Sequence, residues 1–211
     1  MFIEYLWKQP DFYLSWLVII TFSISVHELA HAWVALYQGD ETAYRQGYLT
    51  LNPLKVMGQS ALVVLILFGF AWGAVPVNPR AMRHRSSPVL VACAGPGANL
   101  VLAILFALAY TLFQRFVTFE HSASVLMFWK VGLQANCFLL IFNMLPIPIL
   151  DGWQLYSWLI PQLKRINQEK LASIGLVAIL VLFVSPAGRH VWTASLLFGN
   201  KMLNVMRILF G

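Results

Sequence analysis

His27-Glu28-Leu29-Ala30-His31 lies inside an apolar run from about Phe12 to Tyr37, and its two imidazoles and one carboxylate are the chain's most conspicuous chemistry. An ionisable side chain at membrane depth is costly, and here three fall within five residues. On a helix His27 and His31 stand one turn apart on the same face, the spacing two imidazole nitrogens need to hold one metal ion. Glu28 points about 100° away from His27, where it can stand beside the ion and take a proton from a bound water. Two imidazoles, a carboxylate and an open position make a catalytic zinc set, so a third protein ligand must come from elsewhere.

Most remaining acids (Glu4, Asp11, Asp40, Glu41, Glu120, Glu169) lie in loops or termini. Asp151 follows a segment broken at Pro146 and Pro148, at the end of an apolar span, and is the leading candidate; a helix-capping carboxylate is the competing reading. Asn143, eight residues earlier, carries an amide that would either donate to a developing oxyanion or bridge two helices. His84, His121 and His190, among arginines or at span ends, read as solvated or interfacial rather than as ligands.

The elements that must position these groups read as membrane helices. Of 211 residues 60% are hydrophobic and 10% charged, with mean hydropathy +0.73, against about a quarter charged in soluble domains. The fold class expected is an all-α polytopic membrane protein with about four to six transmembrane helices and a short β-hairpin or re-entrant segment after the first. The net charge of +6 falls in short clusters between apolar segments, above all Arg80, Arg83 and Arg85, which explains orientation without nucleic acid. The arginine loop is then cytoplasmic and the acidic N-terminus outside. His31 comes about 9 Å and His27 about 15 Å from the cytoplasmic end of the first span. Cys93 and Cys137 sit in apolar segments without metal spacing, so no disulfide framework is implied.

Tyr44 to Leu51 is rich in aromatic and β-branched residues and stops at Asn52-Pro53, which predicts short strands; Tyr48, Leu49 and Thr50 would then hold an extended substrate by edge pairing. Ala61 to Val75 is short for a crossing and contains Gly69 and Gly73, as a re-entrant segment does. Leu171 to Val184 and a helical tail to Gly211 close the chain, the tail spanning or lying in the interface. One membrane domain is expected over 1–211, with its core at 12–158 and C-terminal helices at 170–211.

Three separated motifs resemble the site-2 protease family of intramembrane zinc metalloproteases. HELAH at 27–31 is similar to the family's HExxH, AGPGANL at 94–100 to its AGPxxNL helix, and NMLPIPILDG at 143–152 to its NxxPxxxxDG segment. GYLTLNPLK at 47–55 and VPVNP at 75–79 look like the short bacterial branch. Two departures stand out: Val56-Met57-Gly58 replaces an expected His and Asp-Pro, and Gly73-Ala74 stands where a lysine is usual. The resemblance implies His27, His31 and Asp151 as ligands of one zinc, Glu28 as general base and Asn143 near the oxyanion. It also implies cleavage of peptide bonds in or near transmembrane segments of membrane proteins, at a cell (inner) membrane with the site toward the cytoplasm. The partners implied are a transmembrane substrate and the bilayer, with a homo-oligomer as a further option. A non-cleaving membrane-binding homologue and a metal-ion carrier are the alternative functions; Glu28, which a carrier does not need, favours hydrolysis.

Overall fold

The computed structural model describes residues 1–116, 122–165 and 168–210, the side chains of Ser122, Lys164, Arg165, Gln168 and Glu169 excepted. The expectation for His121 lies outside the described residues.

The long helices follow the apolar runs: α1 (Pro10–Tyr37), α2 (Gly58–Phe68), α3 (Ser87–Phe116), α4 (Ser122–Asn143), α5 (Asp151–Leu159), α6 (Gln168–Val184) and α7 (Pro186–Phe210). Helix α1 opens with proline at its first position, where the missing N–H costs nothing. Helix α2 closes at Gly69 with φ +81°, a left-handed cap that glycine adopts without strain. The ring of Phe2 lies over that glycine, and Trp16 Nε1 donates to its carbonyl at 2.7 Å. These contacts tie α2 back onto the N-terminal part of α1.

Helices α1, α3 and α4 pack on one another and α7 lies across α3 and α4. Their shared core joins Ile19, Ile20 and Ile24 to Leu102, Ala103, Phe106 and Ala107 and to Val131, Leu133, Ala135 and Cys137. Small residues let the backbones approach: the Phe106 ring occupies the space a side chain at Gly132 would take. The opposite faces stay apolar and uncovered, with Leu14, Val18 and Phe22 on α1 and Leu90, Val101 and Leu105 on α3. Such a surface suits lipid, where association rests on packing and buried hydrogen bonds rather than on the hydrophobic effect.

Three described helices (α1, α3, α4) are long and apolar enough to cross a membrane, or up to four if α6 and α7, bent by 78° at Ser185, count as one span. Three falls short of the expected four to six, and four is its lower edge. Cys93 and Cys137 are free.

The expected β-hairpin does not form; no described residue is in a strand. Thr42–Arg45 and Pro53–Val56 are single helical turns instead. Asp40 and Asn52 start them with side-chain oxygens that accept from the amides of Thr42 (3.0 Å) and Leu54 (3.0 Å). Between the turns, the Tyr48 amide bonds back to Ala43 O at 2.8 Å and Thr50 N to Tyr48 O at 2.9 Å. Tyr48, Leu49 and Thr50 thus sit in a compact turn that satisfies its own backbone, with Lys55 over the Tyr48 ring at 4.8 Å, and present no free strand edge. In 61–75, α2 has only 11 residues in all, and the backbone of 70–78, without helix or strand, returns from Trp16 at Gly69 to Asp40 at Asn78.

The C-terminal end of α1 is fastened to that return and to the arginine loop. Asp40 accepts from Asn78 N (2.6 Å), Arg83 N donates to Gln38 O (2.9 Å) and Ser87 Oγ to Gln38 Oε1 (2.7 Å). Burial alone would raise the Asp40 pKa, but the bonds from Thr42 and Asn78 outweigh it and hold the carboxyl below its ordinary 3.8.

Candidate metal centre

His27 and His31 project from one face of α1 toward α3, and Asp151 arrives from the first turn of α5. His27 Nε2 lies 3.0 Å from Asp151 Oδ2, His31 Nε2 3.3 Å from Asp151 Oδ1, and the two Nε2 atoms are 2.9 Å apart. Both histidines are buried and Asp151 is largely covered.

The far side of each ring is already committed. His31 Nδ1 donates to Val91 O at 2.7 Å, since a carbonyl only accepts. His27 Nδ1 faces Asn99 Oδ1 at 2.6 Å, again an acceptor. Both Nε2 atoms therefore carry lone pairs, and they converge with a carboxylate whose Oδ2 is buried and makes no hydrogen bond. Three lone-pair donors facing one another repel unless a cation lies among them.

The space beside them is kept open by Gly95. A Cβ there would stand 2.4 Å from both Nε2 atoms, so glycine leaves a cradle against the donors. The ligand atoms, 2.9, 3.0 and 3.3 Å apart, lie within the roughly 4.4 Å that two bonds of about 2.2 Å to one ion can span. Nitrogen, nitrogen and carboxylate oxygen are zinc donors, and the second partners on Nδ1 are the kind that fix ligating imidazoles. The residues present fit the ion.

Glu28 is buried on the neighbouring face of α1, covered by the 70–78 return. Gly73 is the point of contact: a Cβ there would come within 2.6 to 2.9 Å of Glu28 Cγ, Oε1 and Cδ. Asp151 is presented by a tight turn in which Ile149 holds φ +74°, a left-handed conformation that costs a β-branched residue about 1–2 kcal/mol. Gly152 in turn has the carbonyls of Met144 and Leu145 against its Cα.

The sequence-predicted residues divide cleanly. His27, His31 and Asp151 converge, with Glu28 beside them. Asn143 does not point its amide at them; Nδ2 donates to Leu139 O of its own helix at 3.0 Å. Tyr48 to Thr50 lack the strand that made them candidates. Gly95 and Asn99 were legible only as part of a helix motif, Gly73 only as a departure from a pattern, and Val91, which acts through its backbone carbonyl, not at all.

Residues 15–121 match peptidase family M50. A Bacillus subtilis protein named "Putative zinc metalloprotease YwhC" is 38% identical over 179 residues, 82% of this chain and 82% of its own. Rip2 of Mycolicibacterium smegmatis, with the same description, is 38% identical over 179 residues, covering 78% of this chain and 64% of its own. MJ0611 of Methanocaldococcus jannaschii, also so described, is 30% identical over 167 residues, 74% of this chain and 78% of its own. No solved structure matches. Helices apolar enough to cross a membrane surround a group that could hold a metal ion, the arrangement of a membrane metalloprotein. The chain belongs to peptidase family M50, the site-2 protease family, and is a multi-pass zinc metallopeptidase.

Proposed function

We propose that this protein hydrolyses peptide bonds within or near transmembrane segments of membrane-protein substrates, as in regulated intramembrane proteolysis. One observation carries the reading: two imidazole lone pairs and an unpaired carboxylate oxygen converge beside a second buried carboxylate, on a helix apolar enough to cross a bilayer. His27, His31 and Asp151 hold the zinc.

Bound zinc supplies Lewis-acid polarisation of the scissile carbonyl and acidifies the attacking water. Glu28, on the adjacent face of α1, accepts the proton of that water and returns it to the leaving amine. Asn143 contributes an oxyanion donor once its amide is exchanged from Leu139 O to the substrate oxygen. The substrate helix must unwind locally, because its own hydrogen bonds shield each peptide group. The fastening of α1's end to the arginine loop supports a site near the cytoplasmic side, since basic loops face the cytoplasm and His31 is six residues from Tyr37.

Glu28→Gln tests the assignment. Purified in detergent, it should keep one zinc per chain and lose cleavage of a model transmembrane substrate by at least about 10²-fold. Cleavage at the wild-type rate would remove Glu28 from the mechanism, and zinc flux into liposomes without any cleavage by wild type would favour a carrier.

A further inference from the structure

We propose that Asn136 is a positioning residue for the zinc site: it decides which end of the Asn99 amide faces His27, and so keeps the His27 Nε2 lone pair directed at the metal. The proposal rests on the metal-centre reading above.

The order of the hydrogen bonds is fixed from a group that has no choice. The Gly132 carbonyl can only accept, and Asn136 Nδ2 donates to it at 2.8 Å and to Ser23 Oγ at 2.9 Å. The Asn136 NH₂ is thereby spent, and its Oδ1 turns to Asn99, accepting from Nδ2 at 3.0 Å. Asn99 must then present Oδ1 to His27 Nδ1, 2.6 Å away. An amide oxygen accepts only, so the imidazole proton sits on Nδ1 and the lone pair on Nε2. With the Asn99 amide turned over, an NH₂ group would face Nδ1, the ring proton would move to Nε2, and a zinc ligand would be blocked.

Among the described residues no other group hydrogen-bonds the Asn99 side chain. Ser23, Asn99 and Asn136 are each 0% exposed, so water does not compensate for a reversed amide. The relay draws on three helices, with Ser23 and His27 from α1, Asn99 from α3, and Gly132 and Asn136 from α4. His31 needs no such device, because its Nδ1 partner is a backbone carbonyl that cannot turn over. The two ligands on one helix are thus locked by different means, and only His27 depends on a distant amide.

The test is zinc affinity of the purified full-length protein in detergent, by competition with a chromogenic chelator, with helicity by circular dichroism as the check of folding. Asn136→Leu should weaken zinc binding about 10- to 100-fold. In that background Asn99→Asp, a carboxylate that accepts from Nδ1 whichever way it is turned and no longer faces the accepting Oδ1 of Asn136, should restore binding to within about threefold of wild type, a rescue that a packing role for Asn136 does not produce. Unchanged affinity in Asn136→Leu, or a folded double variant as weak as Asn136→Leu, overturns the proposal. Should Asn136→Leu not fold, the zinc-free wild type asks the same question: ¹⁵N chemical shifts of the His27 ring should show the proton on Nδ1, and a proton on Nε2 instead overturns the proposal. A wild type that binds no zinc sinks the metal-centre reading instead.

Discussion

Gly95→Ala places a methyl where the metal belongs, and its effect can be worked from the geometry. Its Cβ would lie 2.4 Å from His27 Nε2, 2.4 Å from His31 Nε2 and 2.6 Å from His27 Cε1. Ordinary contact begins near 3.4 Å, so each imidazole must retreat by about 1 Å or α3 must back away. Either movement strains the Nδ1 bonds to Asn99 (2.6 Å) and Val91 (2.7 Å) that hold the rings. At about 1–2 kcal/mol for each compromised bond, zinc affinity should fall by about 2–4 kcal/mol, roughly 30- to 1,000-fold. Gly97, two residues on, is the internal control, since a Cβ there meets nothing within 4 Å. Gly97→Ala should leave zinc untouched and stabilise α3 by about 0.5–1 kcal/mol through helix propensity. Chelator competition reads the affinities and thermal melting the stabilities. A Gly95→Ala protein that binds one zinc as tightly as wild type, or a Gly97→Ala protein that loses it equally, would refute the cradle.

Gly175→Ala should disturb the site from a distance, because its Cβ would stand 2.2 Å from the Pro148 carbonyl oxygen in the turn that leads to Asp151. Overpacking of that kind costs about 1–3 kcal/mol in melting stability, and zinc affinity should fall with it; neither changing would separate α6 from the Asp151 turn. Asp40 gives a pH dependence. Its folded pKa lies below the ordinary 3.8, so its contribution is complete above 3.8 and is lost as pH falls below that value through the folded pKa. Melting temperatures of wild type and Asp40→Asn, compared from pH 6 downward, should therefore converge in acid, and a gap that widens there would contradict the assigned bonds.

How much could be read without the fold depends on whether a residue's role is local. His27 and His31 are set by helical spacing, and a charge within an apolar run announces its own cost, so the heart of the centre was visible in one turn of sequence. Asp151 was a candidate for a similar reason, standing at a proline break where a chain leaves the membrane. Tyr44 to Leu51 misled because aromatic and β-branched residues suit strands only when a partner edge exists. Here Asp40 and Asn52 capture nearby amides first, and two helical turns form instead. The relay from Ser23 to His27 and the openings at Gly95 and Gly73 had no local signature. They exist because three helices and one non-helical return meet at a point, and an asparagine within a span looks the same whether it bridges helices or orders a metal ligand. Asn143 shows the converse: its motif position suggested chemistry, yet its amide is satisfied within its own helix.

Anomalous scattering at the zinc absorption edge, from crystals of the wild-type protein and of Asp151→Ala, tests the central claim most directly. The account predicts one peak in the wild type, in contact with His27 Nε2, His31 Nε2 and an Asp151 carboxylate oxygen, and a weak or absent peak in the variant. A strong wild-type peak coordinated elsewhere, or one undiminished when Asp151 is removed, would contradict it.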